Sequence, residues 1–145
     1  MAGPSFLLQG HPFREERHLT LIAIALGGAL GAVSRYLVGG WVQTMAGGGF
    51  PWGTFTVNVL GSLVLGFLMI WLSHTLASAE LRHFLVMGLL GSFTTFSTFS
   101  LETVEMLREG LWVRAGIYSF GSVTLGVLAV LAGAFAASTM FRASV

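Results

Sequence analysis

Apolar residues in this chain run on in long blocks. They do not recur at the spacing that would give a water-facing helix or strand one dry face. Charged residues occur at positions 14–17, 35, 80, 82, 102, 105, 108, 109, 114 and 142, and the stretches between them, 18–34, 36–79, 83–101 and 115–141, carry no formal charge. A helix that crosses a bilayer needs about 20 mostly apolar residues. The pattern therefore predicts four spans, at 19–41 (with Arg35 near its end), 52–72, 82–107 and 113–141. One such run is also compatible with the core helix of a soluble protein, but four in a row leave nothing to form an outer layer. Turn chemistry falls between the runs: MAGGGFP at 45–51, small and polar residues at 73–81, and Glu109–Gly110. A polar tail, 1–18, precedes the membrane domain of 19–141, and residues 142–145 form a short C-terminal tail. The first tail does not read as a cleavable signal, because the apolar run after it is the first span itself.

Composition sharpens the class. Charged residues make up 9% of the 145 residues and hydrophobic ones 54%, with a mean hydropathy of +0.83. Soluble domains carry about 25% charged residues, so a soluble enzyme, a nucleic-acid binder and a disordered chain are all excluded. The fold class is an all-α integral membrane protein. The absence of cysteine removes disulfides and thiol chemistry.

The seven arginines, with no lysine, give little orientation signal. In a four-span topology Arg14, Arg17, Arg82 and Arg142 share one side, and Arg35, Arg108 and Arg114 the other. One reading is a weak but fixed orientation. The sharper one is insertion both ways, giving an antiparallel, dual-topology homodimer from one gene product. Size points the same way, since four helices are few to enclose a polar path. Small residues at Gly27, Gly31, Ser62, Gly66, Ser122 and Gly126 permit close helix approach, but packing within one subunit explains most of them.

The informative segment is GLLGSFTTFSTFSL, residues 88–101. Six hydroxyls, Ser92, Thr94, Thr95, Ser97, Thr98 and Ser100, cluster at mid-depth, with Phe93, Phe96 and Phe99 every third residue. One or two hydroxyls can bond back to their own helix. Six predict a polar track or a break in the third span, where Ser and Thr satisfy freed backbone groups. Carbonyls exposed at such a break suit a cation. The second span adds Asn58, with Thr54 one turn before it, as a strut between helices or as a pore-lining donor. The fourth adds Tyr118 and Ser122 on one face; a tyrosine near a helix start is also a common interfacial anchor.

This surface offers neutral O–H and N–H donors and phenyl edges, which attract anions. No carboxylate is expected deep in a span. Glu102 and Glu105 fall toward the end of the third, where Arg108 follows Glu105 by three residues and local surface pairing is expected. No nucleophile–base pair, metal-ligand cluster or phosphate loop is present, so no enzymatic activity is expected. The donors alone would accept chloride or water nearly as well as any smaller anion.

GSFTTFSTFSLET on the third span, WGTFTVN on the second and GALGAVSRYLVG on the first resemble the Fluc/CrcB family of fluoride channels. The resemblance runs from residue 19 to about 138, and the TTFSTFS string is highly specific. The tail of 1–18 lies outside it and is longer than is usual for the family. The resemblance implies an antiparallel dual-topology homodimer with two fluoride pores and a broken third span. It also implies passive fluoride export across the bacterial inner membrane. By position, Phe96 and Phe99 match the phenylalanines whose edges face fluoride, and Asn58 matches the pore asparagine. Gly91 and Thr94 match the residues whose carbonyls hold a structural sodium ion at the dimer centre. Ser97, Thr98, Ser100, Tyr118, Ser122 and Thr54 fall on the polar track or its approach, and Arg35 near the aqueous vestibule.

Two rivals remain at this point. A small four-helix drug/proton antiporter should carry a carboxylate within its first span, and here there is none. A non-transporting assembly subunit would pass no ion. The arginine balance makes its own prediction. Tags at either terminus, probed in sealed vesicles, should report both orientations in equal amounts, and a single orientation would rule out dual topology.

Overall fold

The computed structural model describes residues 12–142, with side chains from residue 17 onward. All regular structure among the described residues is helical: α1 (Pro12–Ala46), α2 (Trp52–His74), α3 (Ala79–Arg82), a π-helical segment (His83–Leu90), α4 (Gly91–Phe93), α5 (Phe96–Arg108) and α6 (Trp112–Arg142). Four stretches are long and apolar enough to cross a bilayer: Arg17–Ala46, Trp52–His74, Ala79–Arg108 and Trp112–Arg142, with mean hydropathies of 1.5 to 2.0. The third is the composite of α3, the π segment, α4 and α5. Helix α1 begins at Pro12, inside the stretch read as a tail, and residues 1–11 and 143–145 lie outside the described residues.

The spans pack as pairs because their backbones can nearly touch. Helix α2 runs along α6, and α1 runs along the π segment. A Cβ added at Gly133 of α6 would overlap the carbonyl oxygen of Leu63, and one at Gly31 of α1 the carbonyl oxygen of Leu89. Only glycine permits such an approach, and in lipid close packing replaces the hydrophobic drive between helices. The outer surface is apolar, with Leu26, Leu30, Phe120 and Phe135 exposed. That is the surface hydrocarbon requires, and it carries no information about a site.

One end of the bundle is closed by a short glycine-bearing turn. Gly47 and Gly49 take positive φ (81° and 95°), a backbone region that favours glycine. Gln43 organises this turn. Its Nε2 donates to the carbonyls of Gly47 (3.0 Å) and Phe50 (3.1 Å), and its Oε1 accepts from the Gly53 N–H (3.0 Å), one of the orphan donors of α2's first turn. Arg114 of α6 donates to the Gly49 carbonyl at 3.2 Å. At the other end, Arg82 donates to the Leu72 carbonyl near the C-terminus of α2.

Candidate functional site

The third span changes its winding twice. Eight residues, His83–Leu90, are π-helical, a rare geometry that is frequent at functional sites. After Gly91–Phe93 the helix stops. Thr94 and Thr95 are extended, with φ −82°, ψ 157° and φ −149°, ψ 113°. Helix α5 restarts at Phe96, capped by Thr95, whose Oγ1 accepts from the Thr98 N–H at 3.3 Å.

The break exposes backbone polar groups that a bilayer would leave without partners. Asn58 answers both groups of Thr95. Its Oδ1 accepts from the Thr95 N–H (2.7 Å) and its Nδ2 donates to the Thr95 carbonyl (3.1 Å). The backbone has one donor and one acceptor, so this pairing fixes the orientation of the amide. Asn58 is therefore a strut between α2 and the break, and the second hydrogen on its Nδ2 remains for another acceptor.

Two carbonyls lose their helical donors in consequence. In an unbroken helix the Thr95 N–H would reach the Gly91 carbonyl and the Thr98 N–H the Thr94 carbonyl. Here those donors go to Asn58 and to the Thr95 hydroxyl. Gly91 and Thr94 line the same cavity, and neutral carbonyl oxygens are the kind of donor that suits a hard cation. Among the described residues no group of three or more His or Glu side chains offers an alternative metal site.

Two cavities meet at Thr95, which lines both. One, about 330 Å³, is lined by Asn58, Gly91, Thr94, Phe96, Phe99 and Ser122 among others. The Phe96 and Phe99 rings lie 5.7 Å apart between centroids, tilted by 41°. Phe96 is 79% exposed on the protomer surface, whereas Phe99 is partly buried against Tyr118 at 5.1 Å. The Ser122 Oγ is buried with no hydrogen-bond partner. The other cavity, about 720 Å³, is the wider mouth. It is lined by Arg35, Thr54, Thr98 and the glycine turn, with Glu102, Glu105, Glu109 and Arg114.

The hydroxyls divide by partner. Thr94 and Ser100 bond back to the carbonyls of Leu90 (3.0 Å) and Phe96 (2.8 Å), as isolated hydroxyls in a membrane helix do. Thr95 donates to the Thr98 Oγ1 at 2.9 Å and lies 3.5 Å from the Ser97 Oγ. Tyr118 lines neither cavity. It is fully buried, 0% exposed, between the rings of Phe50 and Phe99, so it is no interfacial anchor.

Glu102 departs from expectation. The Thr54 hydroxyl donates to its Oε1 at 2.8 Å and the Tyr118 hydroxyl to its Oε2 at 2.6 Å. One carboxylate thus ties α2, α5 and α6 together, about 9 Å of helix inside the end of the span. Surface pairing of Glu105 with Arg108 is also absent: among the described residues neither side chain forms a hydrogen bond or ion pair. The signal for Glu102 was its place one turn after Thr98 on the hydroxyl-bearing face. Its partners, 48 and 16 residues away, gave no local sign.

The family model described as CrcB-like protein, Camphor Resistance (CrcB), matches residues 22–134. The chain is similar to curated proteins named "Fluoride-specific ion channel FluC". The Rhizobium meliloti (strain 1021) protein is 48% identical over 114 residues, 78% of this chain and 91% of its own length. That of Geobacter sulfurreducens is 48% identical over 119 residues, 81% and 96% respectively. That of Caulobacter vibrioides (strain NA1000 / CB15N) is 46% identical over 123 residues, 83% and 97% respectively.

The clamp on Thr95 predicts the effect of Asn58→Leu, which keeps bulk and removes both amide groups. Leaving one N–H and one C=O unpaired should cost about 2–6 kcal/mol. The readouts are a lower melting temperature in detergent and faster hydrogen exchange at residues 91–98. An unchanged melting temperature would mean that the break stands without Asn58.

Proposed function

The chain belongs to the CrcB family, and we propose that it forms a passive, fluoride-selective channel that lets fluoride leave the cytoplasm. It is a multi-pass membrane protein, and we infer that it transports an ion without catalysing a reaction. The observation that carries the reading is the interrupted third span. It brings Asn58, Phe96, Phe99 and the unpartnered Ser122 hydroxyl to one cavity at membrane depth. Each is a neutral group that favours an anion: amide and hydroxyl donors replace part of its water shell, and ring edges carry partial positive charge.

In this reading Phe96 and Phe99 face the ion, and the free hydrogen of Asn58 and the Ser122 hydroxyl donate to it. Thr54 and Thr98 line its approach, and Ser97 and Ser100, which line neither cavity, extend the hydroxyl track along α5. Tyr118 acts from behind, holding Phe99 and Glu102. Arg35 attracts anions at the mouth. An antiparallel homodimer is part of this reading, with a second copy covering the exposed Phe96 ring. The bacterial inner membrane is the corresponding location. A drug/proton antiporter is disfavoured because residues 17–46 hold no carboxylate.

The carbonyls of Gly91 and Thr94 from both protomers would hold a structural sodium ion. When bound, it supplies fixed positive charge at the dimer centre and does no redox or acid–base chemistry. The deflected donors of Thr95 and Thr98 support this assignment.

Two measurements test these points. Purified protein in liposomes should release fluoride quickly and chloride barely, and Phe96→Ile should slow fluoride release by roughly tenfold with the dimer intact. Equal rates for both ions would overturn the selectivity, and unchanged flux in the variant would remove that ring from the path. Replacing sodium by a large organic cation during purification should lower the melting temperature of the dimer. No change would remove sodium from the reading.

A further inference from the structure

The wide mouth has an unusual charge balance for an anion path. Three of the elements around it contribute charge. Helix α1 contributes Arg35, α6 contributes Arg114, and α5 contributes Glu102, Glu105 and Glu109. The glycine turn and the first turns of α2, residues 47–58, contribute none. Arg108 does not line the cavity. The three glutamates fall at i, i+3 and i+7, on one face of α5 and its end. They outnumber the two guanidiniums.

Their engagement differs. The Glu102 carboxylate accepts two hydroxyl bonds and belongs to the packing of three spans. Arg114 is anchored on the Gly49 carbonyl. Glu105 and Glu109 are exposed, and among the described residues their side chains make no hydrogen bond or ion pair. No partner in the fold accounts for them, so their remaining effect is through the field in the mouth. A cleft walled by low-dielectric material focuses that field and sets the local concentration of permeating ions.

We propose that Glu105 and Glu109 offset the attraction of Arg35 and Arg114, so that charge at the mouth throttles anion entry before the ion reaches the cavity of Phe96 and Phe99. The two glutamates set how fast an anion arrives. They do not set which anion passes, because a field acts alike on all monovalent anions. Removing both leaves the guanidiniums in excess over Glu102 and turns a mouth that repels anions into one that gathers them.

The inference rests on the fluoride-channel reading, and ionic strength tests it. The Debye length is about 30 Å at 0.01 M and about 3 Å at 1 M. The carboxylates therefore act across the mouth in the first condition and are screened in the second. Fluoride release from liposomes is measured at both, with an impermeant salt, for the wild type, the Glu105→Gln/Glu109→Gln pair and the Glu105→Asp/Glu109→Asp pair. The Gln pair should release fluoride roughly three- to tenfold faster than wild type at 0.01 M and within about twofold of it at 1 M. The Asp pair, which keeps the charge, should match wild type at both. Equal rates for the Gln pair and wild type at low salt overturn the inference. So does a gain that persists at 1 M or appears in the Asp pair, since either would be a change of shape. Absence of fluoride release from the wild type is a different result: it overturns the channel reading itself, and this inference with it.

Discussion

A bilayer interior offers no water to an unpaired backbone group, and this protein interrupts a helix there. The Asn58 side chain is the interaction that makes the interruption tolerable. Its amide presents the donor and acceptor pattern that a neighbouring backbone would present, and it takes both polar groups of Thr95. Each group left unpaired would cost about 1–3 kcal/mol, and marginally stable proteins have only about 5–15 kcal/mol in total. The site hangs on this pairing. Because the Thr95 N–H turns to Asn58, the Gly91 carbonyl loses its regular helical donor. Because the Thr95 hydroxyl caps α5, the Thr94 carbonyl loses its regular donor as well. Because α5 restarts at Phe96, the Phe96 and Phe99 rings reach the inner cavity.

A helix that begins at mid-membrane also needs holding farther along, or its first turn would drift. Glu102 supplies that second attachment about one and two-thirds turns after Phe96. The carboxylate receives hydroxyls from α2 and α6 at 2.8 and 2.6 Å. Between the two attachments the Phe99 ring rests on Tyr118. Tyr118 therefore has two jobs at once, since its hydroxyl satisfies Glu102 and its ring supports Phe99. Its complete burial follows from having both ends engaged. The result is a short helix fixed on three sides, which is what an ion site built from ring edges and hydroxyls needs to keep its shape.

The spans were legible because uninterrupted apolar length is a property of the sequence alone. The break was legible as one of two readings: six hydroxyls at mid-depth point to a polar track or to an opened helix, and the family resemblance implied the second. Its position, at Thr94–Thr95, lies within the hydroxyl string itself. The π segment was not legible, because HFLVMGLL is an ordinary apolar run whichever way it winds. Glu102 was misread because counting from the end of a span gives depth and says nothing about which helices stand opposite. Its role became visible only with Thr54 and Tyr118 beside it. The expected Glu105–Arg108 pair had suitable spacing, but an exposed pair gains only about 0–1 kcal/mol, too little to impose itself. Asn58 was open between strut and donor, and the geometry makes it a strut while leaving one hydrogen for a second task.

The separation of charged from neutral groups follows from the demand that an ion enter and leave. A unit positive charge 4 Å from an anion, at an effective dielectric near 20, holds it by about 4 kcal/mol. That would slow escape by roughly a thousandfold. Hydroxyls, an amide and ring edges bind more weakly and are spread along the path, so no single position becomes a trap. The formal charges that line these cavities therefore stay at the mouth, where they act on arrival. Glu102 lines the mouth too, but it serves the packing as well. It lies within the span, but its two oxygens are turned to the hydroxyls of Thr54 and Tyr118, and its charge is spent on holding helices together.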